Sequence, residues 1–430
     1  MKYLPLETDL FKSNRKNFMA QMEPNSIGLF VTNGEMPRSA DGFFPFRQNS
    51  DLFYLTGIDQ EETALILIPN PIKEGFEEIL FIRETNDHIR IWEGHKHTKE
   101  EARKISGIEK IYWKKDFWKI IASSVSHYDF IYLNNNEHNR FTSPIKTEQD
   151  FFIEEVLDRY PLHHVKRSST ILRHLRSIKS DREIKLIRKA CEITRDAFIR
   201  VCKFVKPGVT EYEIEAEIMH EFLRKRATET AYSSIIASGE NALCLHYTKN
   251  NSVCEDGEVI LMDFGSEYAN YASDLTRTIP VNGKYTERQK AVYNTVLHVF
   301  KEARNMLRPG TSINDYHTEV GKIMEDQLIG LGLLDKDEVA KQDPKSPLYK
   351  KYFMHGTSHH IGLDVHDFGP EYHEPIKSGM VFTCEPGIYI PDEKLGIRIE
   401  NDIQVTDGEP IDLMHDIPLE IEEIEDLMNS

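Results

Sequence analysis

The sequence predicts a mixed α/β (α+β) protein of two domains, the second of which contains an internal duplication. Three short apolar runs near the N-terminus alternate with charged stretches, which is the pattern of a small α/β domain. The rest of the chain repeats one order of elements twice. With 430 residues the chain exceeds the usual size of one domain and can bury at least one large core.

The predicted N-terminal α/β domain covers residues 1–175. The charged stretch HTKEEARKI is expected to be helical. The aromatic stretch 43–54 is interpreted as core or subunit interface, because large aromatic side chains mostly serve packing. Buried strands are expected in three runs of β-branched and aromatic residues, at 64–68, 79–82 and 130–133.

The predicted second domain, residues 176–430, begins with a capping box between Ser180 and Glu183. Apolar residues then recur at helical spacing until Pro207-Gly208, which is expected to end the helix. The segment 204–223 has a counterpart in 306–328, since each contains Pro-Gly, then Thr, then a second amphipathic helix. Two copies of one ααββ-like unit are therefore predicted.

Each copy continues with a turn, a strand and an acid, in 256–265 and again in 378–387. This alignment places Asp263 opposite Glu385. The second copy is longer, and an insertion is expected at 333–350.

Four acids occupy matching places in the two copies. Asp263 and Asp274 are spaced by 11 residues, and Glu385 and Glu400 by 15. In each copy, one carboxylate is predicted on an apolar strand and the other on the next strand of a hairpin, so that a pseudo-twofold axis brings the four together. Four carboxylates cannot share an apolar cleft without cations, because like charges raise one another's pKa. Two divalent metal ions solve this problem, and His359 can add a nitrogen ligand.

Other interpretations of these motifs are weaker. The Asp-Phe-Gly at 263–265 also occurs in protein kinases, but no glycine-rich loop or kinase catalytic loop precedes it. No HExxH motif occurs, which argues against a zincin. The pairs His163-His164 and His95-x-His97 are interpreted as solvated loop residues rather than ligands.

Composition excludes several classes of function. Lys and Arg number 53 against 71 Asp and Glu, and the net charge of −18 disfavours nucleic-acid binding. No run of about 18 apolar residues predicts a membrane span, and no secretory signal is expected at the N-terminus. The five cysteines show no CxxC spacing, so we expect a reducing cytoplasm rather than disulfides.

The motifs SDLTRT, HGTSHHIGLDVHD, VFTCEPGIYI and GIRIEND resemble those of the pita-bread metallopeptidases, and more narrowly of aminopeptidase P (Xaa-Pro aminopeptidase) and its relative prolidase. The N-terminal stretch FRQNSDLFYLTGIDQEETALILIP is similar to the aminopeptidase P N-terminal domain. The resemblance covers nearly the whole chain. It implies a pita-bread catalytic domain at 176–430, preceded by a domain that builds a subunit interface and restricts access to the cleft.

The resemblance also implies roles for individual residues. Asp274 and Glu400 would bridge both ions, Asp263 would complete one, and His359 with Glu385 would complete the other. His360 departs from the pattern, since some bacterial members carry an aromatic residue there. The remaining implied roles are those of His246 and His366 (catalysis and substrate binding), His355 (proline-binding pocket), Tyr389 (beside the metals and substrate), Arg398 (orienting the active-site network) and Glu385 (proton shuttle).

The implied activity is metal-dependent release of the N-terminal residue from peptides with proline in the second position. The bond before proline has no N–H that a protease could hydrogen-bond, and a dimetal site does not need one. A dimetal-bridging hydroxide is therefore expected to attack the scissile carbonyl. The implied cofactor is a pair of divalent ions, Mn²⁺ from the resemblance, with Co²⁺ and Zn²⁺ chemically acceptable. The implied assembly is a homodimer or a higher homo-oligomer.

Two alternatives stay open. A prolidase, which cleaves only Xaa-Pro dipeptides, shares all five ligands. A non-catalytic pita-bread module that binds peptides is the alternative of another class, although such modules degenerate the ligands. His246 has an alternative role as a core residue and His355 as a hydrogen-bonded scaffold residue.

Overall fold

A computed structural model describes residues 2–370 and 373–430 of the chain. They form two compact units, Tyr3–Arg176 and Ser177–Ser430. Within the described ranges, no helix has both the length and the apolar character that crossing a membrane requires.

The first unit consists of a mixed β-sheet with helices around it. In chain order its elements are α1 (Thr8–Met19), β1 (Ser26–Val31), β2 (Pro37–Ser39), β3 (Gly42–Phe43), α2 (Ser50–Thr56), β4 (Ala64–Leu67), β5 (Glu78–Ile82), α3 (Asp87–Glu93), α4 (Lys99–Ser106), β6 (Lys110–Trp113), α5 (Phe117–Ala122), β7 (Phe130–Leu133), α6 (Glu148–Arg159), β8 (His164–Arg167) and α7 (Ser169–Ser177). Six strands form one sheet in the order β6-β5-β4-β1-β7-β8. The central pairs β1–β4 and β4–β5 are antiparallel, and the outer pairs are parallel.

The three predicted strands and the predicted helix of this unit are confirmed as β4, β5, β7 and α4. Apolar side chains from these strands, β1, α5 and α6 form one buried cluster. The aromatic stretch 43–54 divides in two: the residues of α2 are buried, whereas Phe43 and Phe44 are each 53% exposed. The loop interpretation of His164 was wrong, since this residue begins β8 at the edge of the sheet, although its side chain stays exposed.

The second unit contains two copies of a helix-pair and strand-pair arrangement. In chain order its elements are α8 (Asp181–Phe204), α9 (Glu211–Arg224), β9 (Glu229–Thr230), β10 (Ile235–Ser238), β11 (Val259–Phe264), β12 (Ser266–Tyr268), β13 (Tyr271–Ala272), β14 (Leu275–Pro280), α10 (Glu287–Met306), α11 (Ile313–Gly330), α12 (Lys336–Val339), β15 (Val381–Cys384), β16 (Gly387–Ile390), β17 (Leu395–Arg398), β18 (Asn401–Gln404), β19 (Ile411–Asp412) and α13 (Ile421–Met428).

The predicted duplication is confirmed. Helices α8 and α9 with the antiparallel pair β11–β14 form the first copy, and α10 and α11 with the pair β15–β18 form the second. The capping box at Ser180 begins α8, which ends at Phe204 just before Pro207-Gly208, as expected. The predicted insertion at 333–350 contains α12, a helix that the described first copy lacks. The copies meet where Thr276, in β14, forms a bridge with Glu400.

Candidate metal centre

The strand ends position the four acids of the duplicated unit. Asp263 lies on β11, where the antiparallel register sets it opposite Thr276. Asp274 directly precedes β14, Glu385 directly follows β15 and Glu400 directly precedes β18. The prediction that the acids lie on strands is therefore confirmed for Asp263 only, since the other three lie one residue outside a regular strand. Matching ends of two paired strands in each copy bring the acids to one place.

His359 comes from the loop that precedes β15. This loop is fastened to the strand, because the Thr383 amide donates to the His359 carbonyl at 3.0 Å and the Thr383 hydroxyl accepts from the His359 amide at 3.2 Å. The Nδ1 atom of His359 lies 3.0 Å from the His360 carbonyl oxygen. Its Nε2 lies 3.5 Å from Asp274 Oδ2 and 3.8 Å from Glu385 Oε1. An Nδ1 hydrogen bond of this kind leaves Nε2 as the ligand atom.

The ligand atoms converge enough to hold ions. Donor atoms of Asp274, His359 and Glu400 all lie within 4.8 Å of one another. Glu385 joins this group through its contact with His359, and Asp263 joins it through Tyr232 and Arg398, described below. The structure therefore brings together all five predicted ligand residues.

The burial and crowding of these acids favour bound cations. Burial raises the pKa of Asp274 and of Glu400 well above the usual range, and repulsion by Asp263 and other acids of the group adds to it. Burial also raises the pKa of Glu385, to about 7. Carboxylates in this position become anionic at neutral pH only if positive charge compensates them. Four carboxylates and an imidazole are a donor set that suits a pair of divalent ions such as Mn²⁺, Co²⁺ or Zn²⁺.

Arg398 ties the two copies together at the site, and this buried side chain is fully engaged. Its Nη2 donates to Asp263 Oδ2 at 2.6 Å, its Nη1 to the Tyr389 hydroxyl at 2.7 Å, and its Nε to the Thr276 hydroxyl at 3.1 Å. The Thr276 hydroxyl in turn donates to Glu400 Oε2 at 2.6 Å. The arginine of the second copy thus orients an acid of the first, and a threonine of the first orients an acid of the second.

Sequence reasoning missed Tyr232, which lies just before β10. Its hydroxyl is 2.6 Å from Asp263 Oδ1 and 2.5 Å from Asp274 Oδ1. Burial and then the charge of Asp263 raise the pKa of Tyr232 well above its usual value, so the hydroxyl stays protonated. A tyrosine in the stretch AYSSII carries no motif that marks such a role.

Two further buried residues hold the backbone of Asp274 and Glu400 and were also missed. Asp402 Oδ2 accepts the Asp274 amide at 3.1 Å. Arg277 Nη1 donates to the Glu400 carbonyl oxygen at 2.8 Å. Asp402 lies in the motif GIRIEND and Arg277 in the motif SDLTRT. Their side chains bind backbone groups of the acids rather than the carboxylates.

The remaining predicted residues surround the acids. The ring of His366 lies 4.4 Å from that of His359, edge to face. His355 Nε2 is 2.9 Å from the Tyr389 hydroxyl, and its Nδ1 is 3.6 Å from Glu385 Oε2. Burial, with the nearby charge of Arg398, lowers the pKa of His355 to about 3.

Two other histidines complete this picture. His246 is exposed, which argues against its alternative role as a core residue. His360, the departure from the family pattern, is buried against Phe382 with the ring centres 4.3 Å apart.

Comparison with known proteins agrees with this geometry. The profile of metallopeptidase family M24 matches residues 185–407, and that of the aminopeptidase P N-terminal domain matches residues 11–132. A Haemophilus influenzae protein named Xaa-Pro aminopeptidase is 35% identical over 100% of this chain and 99% of its own length.

Solved structures give the same result. Escherichia coli aminopeptidase P with the inhibitor Pro-Leu superposes with a TM-score of 0.88 at 35% identity, covering 99% of both chains. The zinc-substituted form of that protein in complex with product superposes with a TM-score of 0.87 at 34% identity over the same share of both chains. These matches extend over the pita-bread unit and the unit before it. The chain therefore belongs to the aminopeptidase P group of metallopeptidase family M24.

Proposed function

We propose that this chain is a metal-dependent Xaa-Pro aminopeptidase, which releases the N-terminal residue from peptides with proline in the second position. The observation that carries the proposal is the buried group of four carboxylates and His359 at matching strand ends of a duplicated unit. The relatives that match nearly the whole chain bear the same activity in their names.

The ligand residues divide between two ions. We assign Asp274 and Glu400 to both ions, Asp263 to one, and His359 with Glu385 to the other. When bound, the two ions polarise the scissile carbonyl and lower the pKa of an attacking water molecule. Mn²⁺ is the proposed native ion, on the resemblance to the family. Four carboxylates offer the oxygen ligands that Mn²⁺ favours, and the same set accepts Zn²⁺.

The side chains of this chain carry out the other parts of the reaction. Glu385 is itself one of the assigned ligand residues and so would lie beside the attacking water, from which it can take a proton and pass it to the leaving nitrogen. We assign to His366, whose ring lies against that of His359, and to the exposed His246 the donation of hydrogen bonds to the substrate carbonyl as negative charge develops.

Specificity for proline follows from the chemistry of the bond. The amide before proline has no N–H, and the ring restricts the residue before it. A site that works through the carbonyl needs no amide handle. His355 and Tyr389, linked by a 2.9 Å hydrogen bond, form a pair beside Glu385 that we assign to the proline ring. The free α-amine of the substrate is assigned to the acidic group at the ions.

The proposal includes a homo-oligomeric assembly and a cytoplasmic location. Phe43 and Phe44 expose apolar rings on the first unit, which suits a homodimer or a higher homo-oligomer in which this unit forms the subunit interface. All five cysteines are free, four of them buried, which suits the reducing cytoplasm.

A peptide assay tests the proposal. Metal-loaded protein is given Ala-Pro-Ala, Ala-Pro and Ala-Ala-Ala, and released alanine is measured. We expect cleavage of the first peptide, with Pro-Ala as the second product, and little cleavage of the last. Cleavage of Ala-Pro alone would identify a prolidase. Peptide binding without cleavage, unchanged by Asp263→Asn, would identify a non-catalytic module. Asp326→Asn, at an exposed helical position, is the matched control.

A further inference from the structure

The loop between α3 and α4 of the first unit places two histidines beside an acid. The loop reads GHKHT over 94–98, and Thr98 is the N-terminal cap of α4. Glu101, in the first turn of that helix, lies next to both histidines. The sequence interpretation of His95 and His97 as solvated residues did not anticipate this grouping.

The geometry of the three side chains is that of an open ligand set. His95 Nε2 lies 3.0 Å from Glu101 Oε2. One ligand atom from each of His95, His97 and Glu101 lies within 4.8 Å of the other two. The two imidazole planes are at 89° to each other, with ring centres 6.2 Å apart. Ligand atoms around a tetrahedral zinc ion are about 3.4 Å apart, a spacing between the 3.0 Å of the His95–Glu101 contact and the 4.8 Å limit of the group.

The surrounding hydrogen bonds hold this arrangement before any ion binds. Glu101 is fixed by the capping box, in which its Oε2 accepts the Thr98 amide at 2.8 Å. The His97 amide donates to Gln60 Oε1 at 2.7 Å, which anchors the loop to the segment between α2 and β4. A carboxylate has two oxygens, so Glu101 can serve both the cap and an ion. Less side-chain freedom is therefore lost on binding.

The charges also favour a cation. Burial lowers the pKa of His97, so its ring is neutral and has a lone pair available at neutral pH. The Thr98 amide lowers the pKa of Glu101, which is therefore anionic. Lys96, which stands between the two histidines in sequence, contacts Glu61 instead, and Glu61 also accepts from Arg83 at 2.7 Å.

We propose that His95, His97 and Glu101 bind one Zn²⁺ ion in the first unit, separate from the catalytic pair of ions. Two imidazoles and a carboxylate are a ligand set that zinc uses in proteins, with a fourth position left for water. The ion joins the loop 94–98 to the first turn of α4. It needs no residue of the peptidase site.

Counting zinc tests this proposal. Native protein, His97→Gln and His95→Gln are saturated with Zn²⁺, passed through a desalting column and analysed for bound metal per chain. His127→Gln, an exposed histidine of the same unit, is the matched control. We expect each of the first two variants to hold one zinc ion fewer than native protein, and the control to equal it. Peptidase activity should stay unchanged in all three variants, which also verifies that they fold.

The test compares the zinc content of each variant with that of native protein. This difference stays valid even if the catalytic site binds less than two ions per chain. Asp263→Asn should lower the zinc count of the catalytic site, and adding His97→Gln to that variant should still remove one further ion. Equal zinc in native protein, His95→Gln and His97→Gln would overturn the proposal. Loss of the same ion from His127→Gln would overturn it as well, because the loss would then not be specific to this group.

Discussion

The two copies of the duplicated unit provide the same backbone frame but support their acids differently. In the first copy, one tyrosine hydroxyl contacts both acids, since Tyr232 reaches Asp263 and Asp274. In the second, Glu400 is held from the other copy by Thr276. The second copy also adds His359 as a nitrogen donor. The difference teaches that duplication supplied matching strand ends, while contacts across the pseudo-twofold axis made one site of two halves.

The largest effect is expected from removing a bridging charge. Asp274→Asn deletes the carboxylate that we assign to both ions and should lower kcat/KM on Ala-Pro-Ala by about a thousandfold, or about 4 kcal/mol of transition-state stabilisation. Bound metal should fall as well. Steady-state kinetics and elemental analysis measure both, with Asp326→Asn as control. An Asp274→Asn enzyme with native activity would remove Asp274 from the ligand set.

The corresponding glycines of the two copies are expected to differ next. A Cβ on Gly265 would lie 1.7 Å from the Ser273 carbonyl oxygen, whereas one on Gly387 would lie 2.8 Å from the hydroxyl of the Tyr389 side chain. Backbone cannot yield as a side chain can, so Gly265→Ala should destabilise the protein by about 3 kcal/mol or more and Gly387→Ala by about 1 kcal/mol.

Thermal melting of the metal-loaded variants measures this pair. Gly330→Ala, where nothing lies within 4 Å of the added carbon, is the control and should leave the melting temperature nearly unchanged. Equal losses at Gly265 and Gly387 would mean that the two hairpins are packed alike, contrary to the comparison.

The supporting hydroxyls offer a finer test of the two copies. Tyr232→Phe removes the hydroxyl shared by Asp263 and Asp274, and groups that orient ligands are worth about 10–100-fold in metal affinity or activity. Thr276→Val removes a hydroxyl that contacts one acid, so its effect should lie at the lower end of that range.

Metal titration and kcat/KM measure the two losses. Tyr212→Phe, at a position 56% exposed, and Thr318→Val, at an exposed helical position, are the matched controls. A larger loss in Thr276→Val than in Tyr232→Phe would reverse the stated order of the two copies.

The smallest effect is a pH dependence of the metal-free protein. The pKa of Glu385 is about 7 when folded, against about 4.3 for an unfolded glutamate, so the folded state binds this proton more tightly. Stability from this group is therefore present below about pH 4.3 and is lost as pH rises through about 7. Asp274 and Glu400 shift in the same direction.

We expect the melting temperature gained on adding Mn²⁺ to be larger at about pH 8 than at about pH 5, because bound ions compensate the charges that the metal-free protein must otherwise carry. Glu385→Gln should reduce the fall in metal-free stability over this range. An unchanged slope in that variant would assign the pH dependence to other groups.

Much of the site was predictable because its signals are local. Asp263, Glu385 and Glu400 stand beside apolar strands at repeated positions, and His359 lies in a motif of a known family. The buried arginine was expected to pair, and Arg398 does so with Asp263. Tyr232 and Asp402 were not predicted, because a supporting contact depends on a partner far along the chain and leaves no pattern in the residues around it.

The sequence by itself determined the two-part organisation, the duplication, the ligand types and the family, since these depend on apolar periodicity and on motif order. Only the tertiary structure decided which hydroxyls and backbone groups hold the acids. The physical reason is that secondary structure follows from neighbours in the chain, whereas a hydrogen bond or a metal ligand set follows from distances that the fold creates.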